Sequence, residues 1–268
     1  MRRDGLTLKS ALGDVHIAKP KVPKDLAEIG SVDCVLFCVK LWDVDAAAVQ
    51  IKPLMSRDTG VVPFQNGVGV CDRLAEVLGP RHVLGGVAKI SATIEAPGTI
   101  RHNGSAARLI LGERDGAKSQ RVESLSSACD SAGIEHVVSG NIERDIWEKF
   151  VFLAPLAGAS CFYRAPIKDV VGDPQRREHL AAMMRETAAV GRAKGIALTD
   201  DLAERTLKQS LDIGAKPSML VDLENGRRLE LEWLNGEIVR LGKELGVPTP
   251  ANAAVYEALK PHAMGGAT

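Results

Sequence analysis

The alternation of apolar and polar positions changes character near residue 142. Before it, short apolar runs alternate with amphipathic stretches. "VDCVLFCVK" (32–40) is nearly unbroken and closes in a lysine, the pattern of a parallel strand buried on both faces. "DVDAAAVQIKPLM" (43–55) predicts a helix that Asp43 can cap. "GVVPFQNGVG" (60–69) predicts a second strand, broken at Asn66-Gly67, with a helix at 70–78 and a third strand in "HVLGGVAK" (82–89). "LTLKSALGDVHIA" (6–18) and "GTIRHNGSAARLILGE" (98–113) each alternate about a central turn, as antiparallel hairpins do, and "IEHVV" (134–138) is the last strand.

After about 143 the strands stop. The spacing predicts helices over 144–163, 174–194 closed by Gly195, 200–213, 217–225, 229–245 stopped by Gly246 and Pro248, and 250–260 opened by Pro250. An α/β half followed by an all-α half implies two domains, 1–142 and 143–268, with a ligand crevice expected between them.

Composition narrows the function. Lys plus Arg and Asp plus Glu stand at 34 each, so the chain lacks the basic surplus of a nucleic-acid binder. The five cysteines are scattered without C-x-x-C or zinc spacing, so neither a disulfide framework nor a metal site is expected. No stretch approaches the ~18 apolar residues of a membrane helix. The expectation is a cytoplasmic, membrane-free protein, monomer or homodimer, that works on a small molecule.

In open α/β sheets ligands sit beyond the carboxyl ends of the strands. Two predicted strands end there in polar residues, Lys40 and Asn66. Asn-Gly also makes an ordinary turn without any ligand, so Asn66 admits both readings. In the helical half, Lys149 stands at the threshold of the apolar run "WEKFVFLAPLAG" (147–158), where a lysine can simply snorkel. Ser218 opens one helix, where capping is the ordinary role, and Glu230 begins the predicted helix 229–245, where a carboxylate suits the dipole.

The ordered set "CVKLWD", "PFQNGVG", "ISATIEAPGTI", "WEKF" and "PSMLVDLENGRRLELEWLNGEIVRLGKELGVPTP" resembles the ketopantoate reductases (2-dehydropantoate 2-reductases), over essentially the whole chain. The resemblance implies an NADPH-dependent reductase of a 2-oxo acid, acting in pantothenate biosynthesis. It implies a Rossmann-type domain followed by a helical domain like that of 6-phosphogluconate dehydrogenase. By the same resemblance Lys149 is the catalytic acid, and Asn66 touches nicotinamide and substrate. Lys40 contacts the cofactor, Ser218 the substrate, Glu230 the cofactor's ribose and nicotinamide side, and Ala92 gives the cofactor a backbone contact. The chemistry is consistent. Hydride addition to a carbonyl builds negative charge on oxygen, and an ammonium in apolar surroundings stabilises that charge and gives up its proton more readily.

Two departures from the family pattern stand out. The pattern opens with a βαβ unit of roughly 30 residues that carries a G-x-G-x-x-G turn for the pyrophosphate, and these 268 residues contain none. The expected N-terminal domain is therefore an incomplete Rossmann-type one lacking its first βαβ, and a truncated gene model is the expected cause. The alternative is a reductase relic that binds or oligomerises without catalysis. Second, Leu153, Ala157 and Ile167 replace expected substrate-binding asparagines, which points to a more apolar pocket and a different or bulkier 2-oxo acid.

Overall fold

The computed structural model describes residues 1–211 and 213–266. Contacts divide the chain into two units. The first comprises residues 1–39, 43–65 and 71–142; the second comprises 40–42, 66–70 and 143–268. Two short segments that follow strands of the first unit thus belong by their contacts to the second.

In the first unit, β1 (Leu6–Lys9) and β2 (Val15–Ile17) form the hairpin foreseen for 6–18. β3 (Cys34–Phe37) runs parallel to β4 (Gly60–Pro63) in a two-stranded sheet. The connection is α1 (Val44–Gln50), where Asp43 occupies the cap position but makes no side-chain cap hydrogen bond. α2 (Val70–Leu78) follows β4. β3 is not buried on both faces: Phe37 is buried, but Leu36 is 54% exposed. Its apolar run reflects a strand with one covered face.

The second hairpin differs from expectation. Residues 98–113 do not fold back on themselves. β6 (Thr99–Gly112) is one long strand, and its antiparallel partner is β5 (Gly85–Ala96). The reversal falls at Pro97-Gly98, where Gly98 has φ +80°. The apparent turn in "HNGSA" is a bulge: pairing passes from Ile90–Ala107 to Ala92–His102, so residues 103–106 loop out opposite Ser91. His102 Nε2 lies 3.0 Å from the Ala106 carbonyl oxygen and closes that loop.

β6 also pairs in parallel with β1 and with β7 (Glu135–Val138), giving a five-stranded mixed sheet. α3 (Gln120–Ser131), absent from the sequence expectations, is capped by the Ser119 hydroxyl. It packs Val122 and Cys129 against Val62, Leu84 and Leu111. The two sheets are tied where Leu84 N–H donates to the Val61 carbonyl at 3.0 Å.

The second unit is helical. Its helices are α4 (Ile142–Tyr163), α5 (Ile167–Gly172), α6 (Pro174–Ala193), α7 (Leu202–Ser210), α8 (Ser218–Glu224), α9 (Asn235–Leu245) and α10 (Pro250–Leu259). The predicted helix 229–245 is split. Residues 231–233 make a single 3-10 turn and α9 begins only at Asn235, so Glu230 precedes a tight turn rather than opening a long helix.

α4 is the central element of the core. Trp147, Phe150, Val151, Ala154, Leu156 and Ala157 are buried in one cluster with residues of α6, α8 and α9. A close approach governs one crossing. A Cβ on Gly158 would stand 2.5 Å from both side-chain polar atoms of Asn235, which is fully buried and donates to Asn252 Oδ1. Among the described residues no helix is long and apolar enough to cross a membrane, and no His, Cys, Asp and Glu cluster fits a metal.

Candidate active site

Two strand ends supply the site. Gln65 Nε2 donates to the Phe37 and Val39 carbonyls, both at 3.0 Å, so the exits of β3 and β4 are clamped together. The chain that leaves them, 40–42 and 66–70, packs with the helical unit.

There Lys40 meets α8 and the segment between α8 and α9. Its Nζ lies 3.4 Å from Asp222 Oδ2 and 3.9 Å from Glu230 Oε2. Glu230 is 8% exposed, and its Oε1 accepts from Leu41 N–H at 3.3 Å across 189 residues of sequence. A carboxylate so deeply buried needs such partners. Arg227 completes the network, with Nε 3.0 Å from Asp222 Oδ1.

Asn66 is half-buried at the start of the second segment. The glycine after it serves close packing: a Cβ on Gly67 would come within 3.2 Å of Leu41 and 3.6 Å of the Trp233 carbonyl oxygen. Its φ is not positive, so the Asn-Gly pair is not the left-handed turn that its sequence suggests. Val68 is buried in the same core as α4.

Lys149 is half-buried on α4, between Trp147 and Phe150, each 1% exposed. Ser218 is the first residue of α8 and exposed; Pro217 takes the cap position, so the serine hydroxyl is not the cap. Met219, Leu220 and Leu223 of α8 are buried in the core that also holds α4. Lys40, Asn66, Lys149, Ser218 and Glu230 thus all fall in one unit, with Lys40 and Glu230 in direct apposition. Ala92 stands apart from them, exposed in β5 of the first unit, at the register shift opposite His102. Of the three positions where asparagines were expected, Ala157 (2% exposed) and Ile167 (5%) are closed into the core, and Leu153 alone keeps part of its surface open.

Sequence reasoning missed the aromatic wall beside Lys40. Trp42 and Trp233 stand 6.2 Å apart between centroids, at 53°. Lys40 Nζ lies 5.4 Å over the Trp42 ring, and the Arg228 guanidinium lies 4.8 Å over Trp42 and 5.5 Å over Trp233. The local signals were the tryptophans in "CVKLWD" and "LELEWLNG", with nothing in the spacing to say that they meet.

The α/β unit and the helical unit are the two parts of a known family of oxidoreductases. The chain belongs to the ketopantoate reductase family: the model for ketopantoate reductase PanE/ApbA matches residues 1–116, and that for the PanE/ApbA C-terminal domain matches 141–263. Among relatives, it is 31% identical to a 2-dehydropantoate 2-reductase of Mesorhizobium japonicum, over 91% of this chain and 80% of that one. It is 28% identical to an oxidoreductase of Bacillus subtilis, over 97% of this chain and 88% of the relative. The crystal structure of 2-dehydropantoate 2-reductase from Geobacter metallireducens superimposes with TM-score 0.90 at 28% identity, over 97% of this chain and 87% of that one.

Proposed function

We propose that the protein is an NADPH-dependent reductase of a 2-oxo acid, converting 2-dehydropantoate to pantoate or reducing a closely related carbonyl substrate. The observation that carries this reading is the junction of Lys40, Leu41 and Glu230, which unites a strand end with the segment preceding α9. Family membership supports it.

Lys149 holds the proton that neutralises the nascent alkoxide, from a position in α4 after which no further charge occurs before Arg164. Asn66 and Ser218 orient the substrate through an amide and a hydroxyl. Lys40 and Glu230 address the nicotinamide and ribose end of the cofactor, and Ala92 offers it a backbone contact. The residues present fit that end of a dinucleotide. Gln65 Oε1 is buried with no hydrogen-bond partner among the described residues, an open acceptor for an amide or hydroxyl donor. When bound, the dihydronicotinamide would supply the hydride. Leu153, the one partly open position of the three, gives the substrate side an apolar contact and favours a 2-oxo acid with an alkyl or bulkier apolar group.

The test is direct. The purified chain mixed with NADPH and 2-dehydropantoate is expected to consume dihydronicotinamide absorbance only when both are present, with pantoate accumulating in equal amount. Unchanged absorbance, with no NADPH binding by titration, would refute the reading.

A further inference from the structure

Arg228 is the cation that the network around Lys40 leaves over. Lys40 and Arg227 are matched by Asp222 and Glu230. The neighbouring carboxylates are committed elsewhere: Glu224 to Lys216 at 2.7 Å, and Glu232 to the Tyr256 hydroxyl at 2.6 Å. Arg228, half-buried, makes no ion pair and no side-chain hydrogen bond among the described residues. What holds it is the pair of indoles. The guanidinium carbon lies 4.8 Å from the Trp42 centroid and 5.5 Å from that of Trp233, so the rings hold the cation without supplying a hydrogen-bond acceptor in any side chain.

Two further features give this arginine a direction. Lys40 shares the Trp42 ring with it, so two cations flank one indole and an anion between or beside them would be favoured. A side chain already held by two rings also loses little rotamer freedom when it takes a ligand. An N–H fork, pre-positioned and unspent, is suited to bidentate recognition of a carboxylate or phosphate.

We propose that Arg228 is an oxyanion anchor of this site, setting affinity for an anionic group of a ligand bound beside Lys40. The inference rests on the reductase reading and deepens it. The anionic group has two sources, the carboxylate of the 2-oxo acid and the phosphates of the dinucleotide.

The experiment compares the full chain with its Arg228→Gln and Arg228→Lys variants. It measures NADPH dissociation constants by tryptophan quenching, and steady-state kinetics with 2-dehydropantoate at saturating NADPH. Loss of a charge-assisted fork is expected to weaken one constant by roughly 10- to 100-fold in Arg228→Gln, with kcat changed far less. A shift in NADPH affinity identifies phosphate as the source; a shift in KM for 2-dehydropantoate, with NADPH affinity kept, identifies the carboxylate. Arg228→Lys, which keeps the charge without the fork, should recover only part of the loss. Both constants within about twofold of wild type in a folded Arg228→Gln would overturn the anchor; if that variant does not fold, unchanged constants in Arg228→Lys overturn it equally. A wild-type chain that neither binds nor consumes NADPH would fell the reductase reading and the anchor together. Normal wild-type turnover with an indifferent variant removes the anchor alone.

Discussion

Replacing Lys149 with alanine is expected to cut turnover at least ~100-fold, the scale of a lost general acid, while NADPH binding stays near wild type. The surroundings of the side chain suit the proposed role of proton donor to a forming alkoxide. It is half-buried, flanked by Trp147 and Phe150, and followed by 14 residues of α4 without a charge. In such surroundings an ammonium interacts with developing charge more strongly than it would in water. The change removes the ammonium and three methylenes of a half-buried side chain, so a small fall in melting temperature is expected beside a large loss in kcat. Steady-state kinetics alongside a circular-dichroism melt separates these effects. Near-normal kcat in a folded variant would remove Lys149 from the proton-donor role.

Two residues earlier on the same helix, Trp147→Ala is expected to be the most destabilising single change near the site, by about 3–5 kcal/mol. Trp147 is 1% exposed, packs edge-on against Phe150 at 5.6 Å and 76°, and lies so close to α6 that a Cβ on Gly191 would stand 2.8 Å from its ring. Gly191 is there because the indole fills its space. Truncation would leave a void between two helices whose own backbones are tightly placed, so collapse can recover little of the loss. For a chain of this size the melting midpoint should fall by on the order of 10 °C. Chemical denaturation followed by helical ellipticity checks it; a loss below about 1 kcal/mol would mean that the core around α4 is far looser than its geometry shows.

The helical half was largely legible because its helices are punctuated by residues with strong backbone preferences. Pro174, Gly195, Gly246 and Pro250 stand at or within two residues of helix ends. The sheet was harder. "HNGSA" and "APGTI" carry the same turn chemistry, and only pairing across β5 and β6 decides that the second reverses the chain while the first bulges. α3 escaped notice because it buries just Val122 and Cys129 among twelve mostly polar residues, too thin a stripe to announce a helix.

In the site, the residue types were visible but their meeting was not. Glu230 looked like a dipole partner for a long helix; the 3-10 turn after it instead leaves its carboxylate accepting from Leu41, 189 residues away. The Trp42, Trp233 and Arg228 cage has no periodic signature, since cation–π contacts between distant segments leave no mark on local spacing.

The most direct test of the central claim follows the hydrogen rather than the rate. With NADPH deuterated at the transferring position of the dihydronicotinamide and 2-dehydropantoate as acceptor, mass spectrometry of the product should find one deuterium, bonded to C2 of pantoate. Product without deuterium, or none formed by a folded chain that has bound both ligands, would contradict the account.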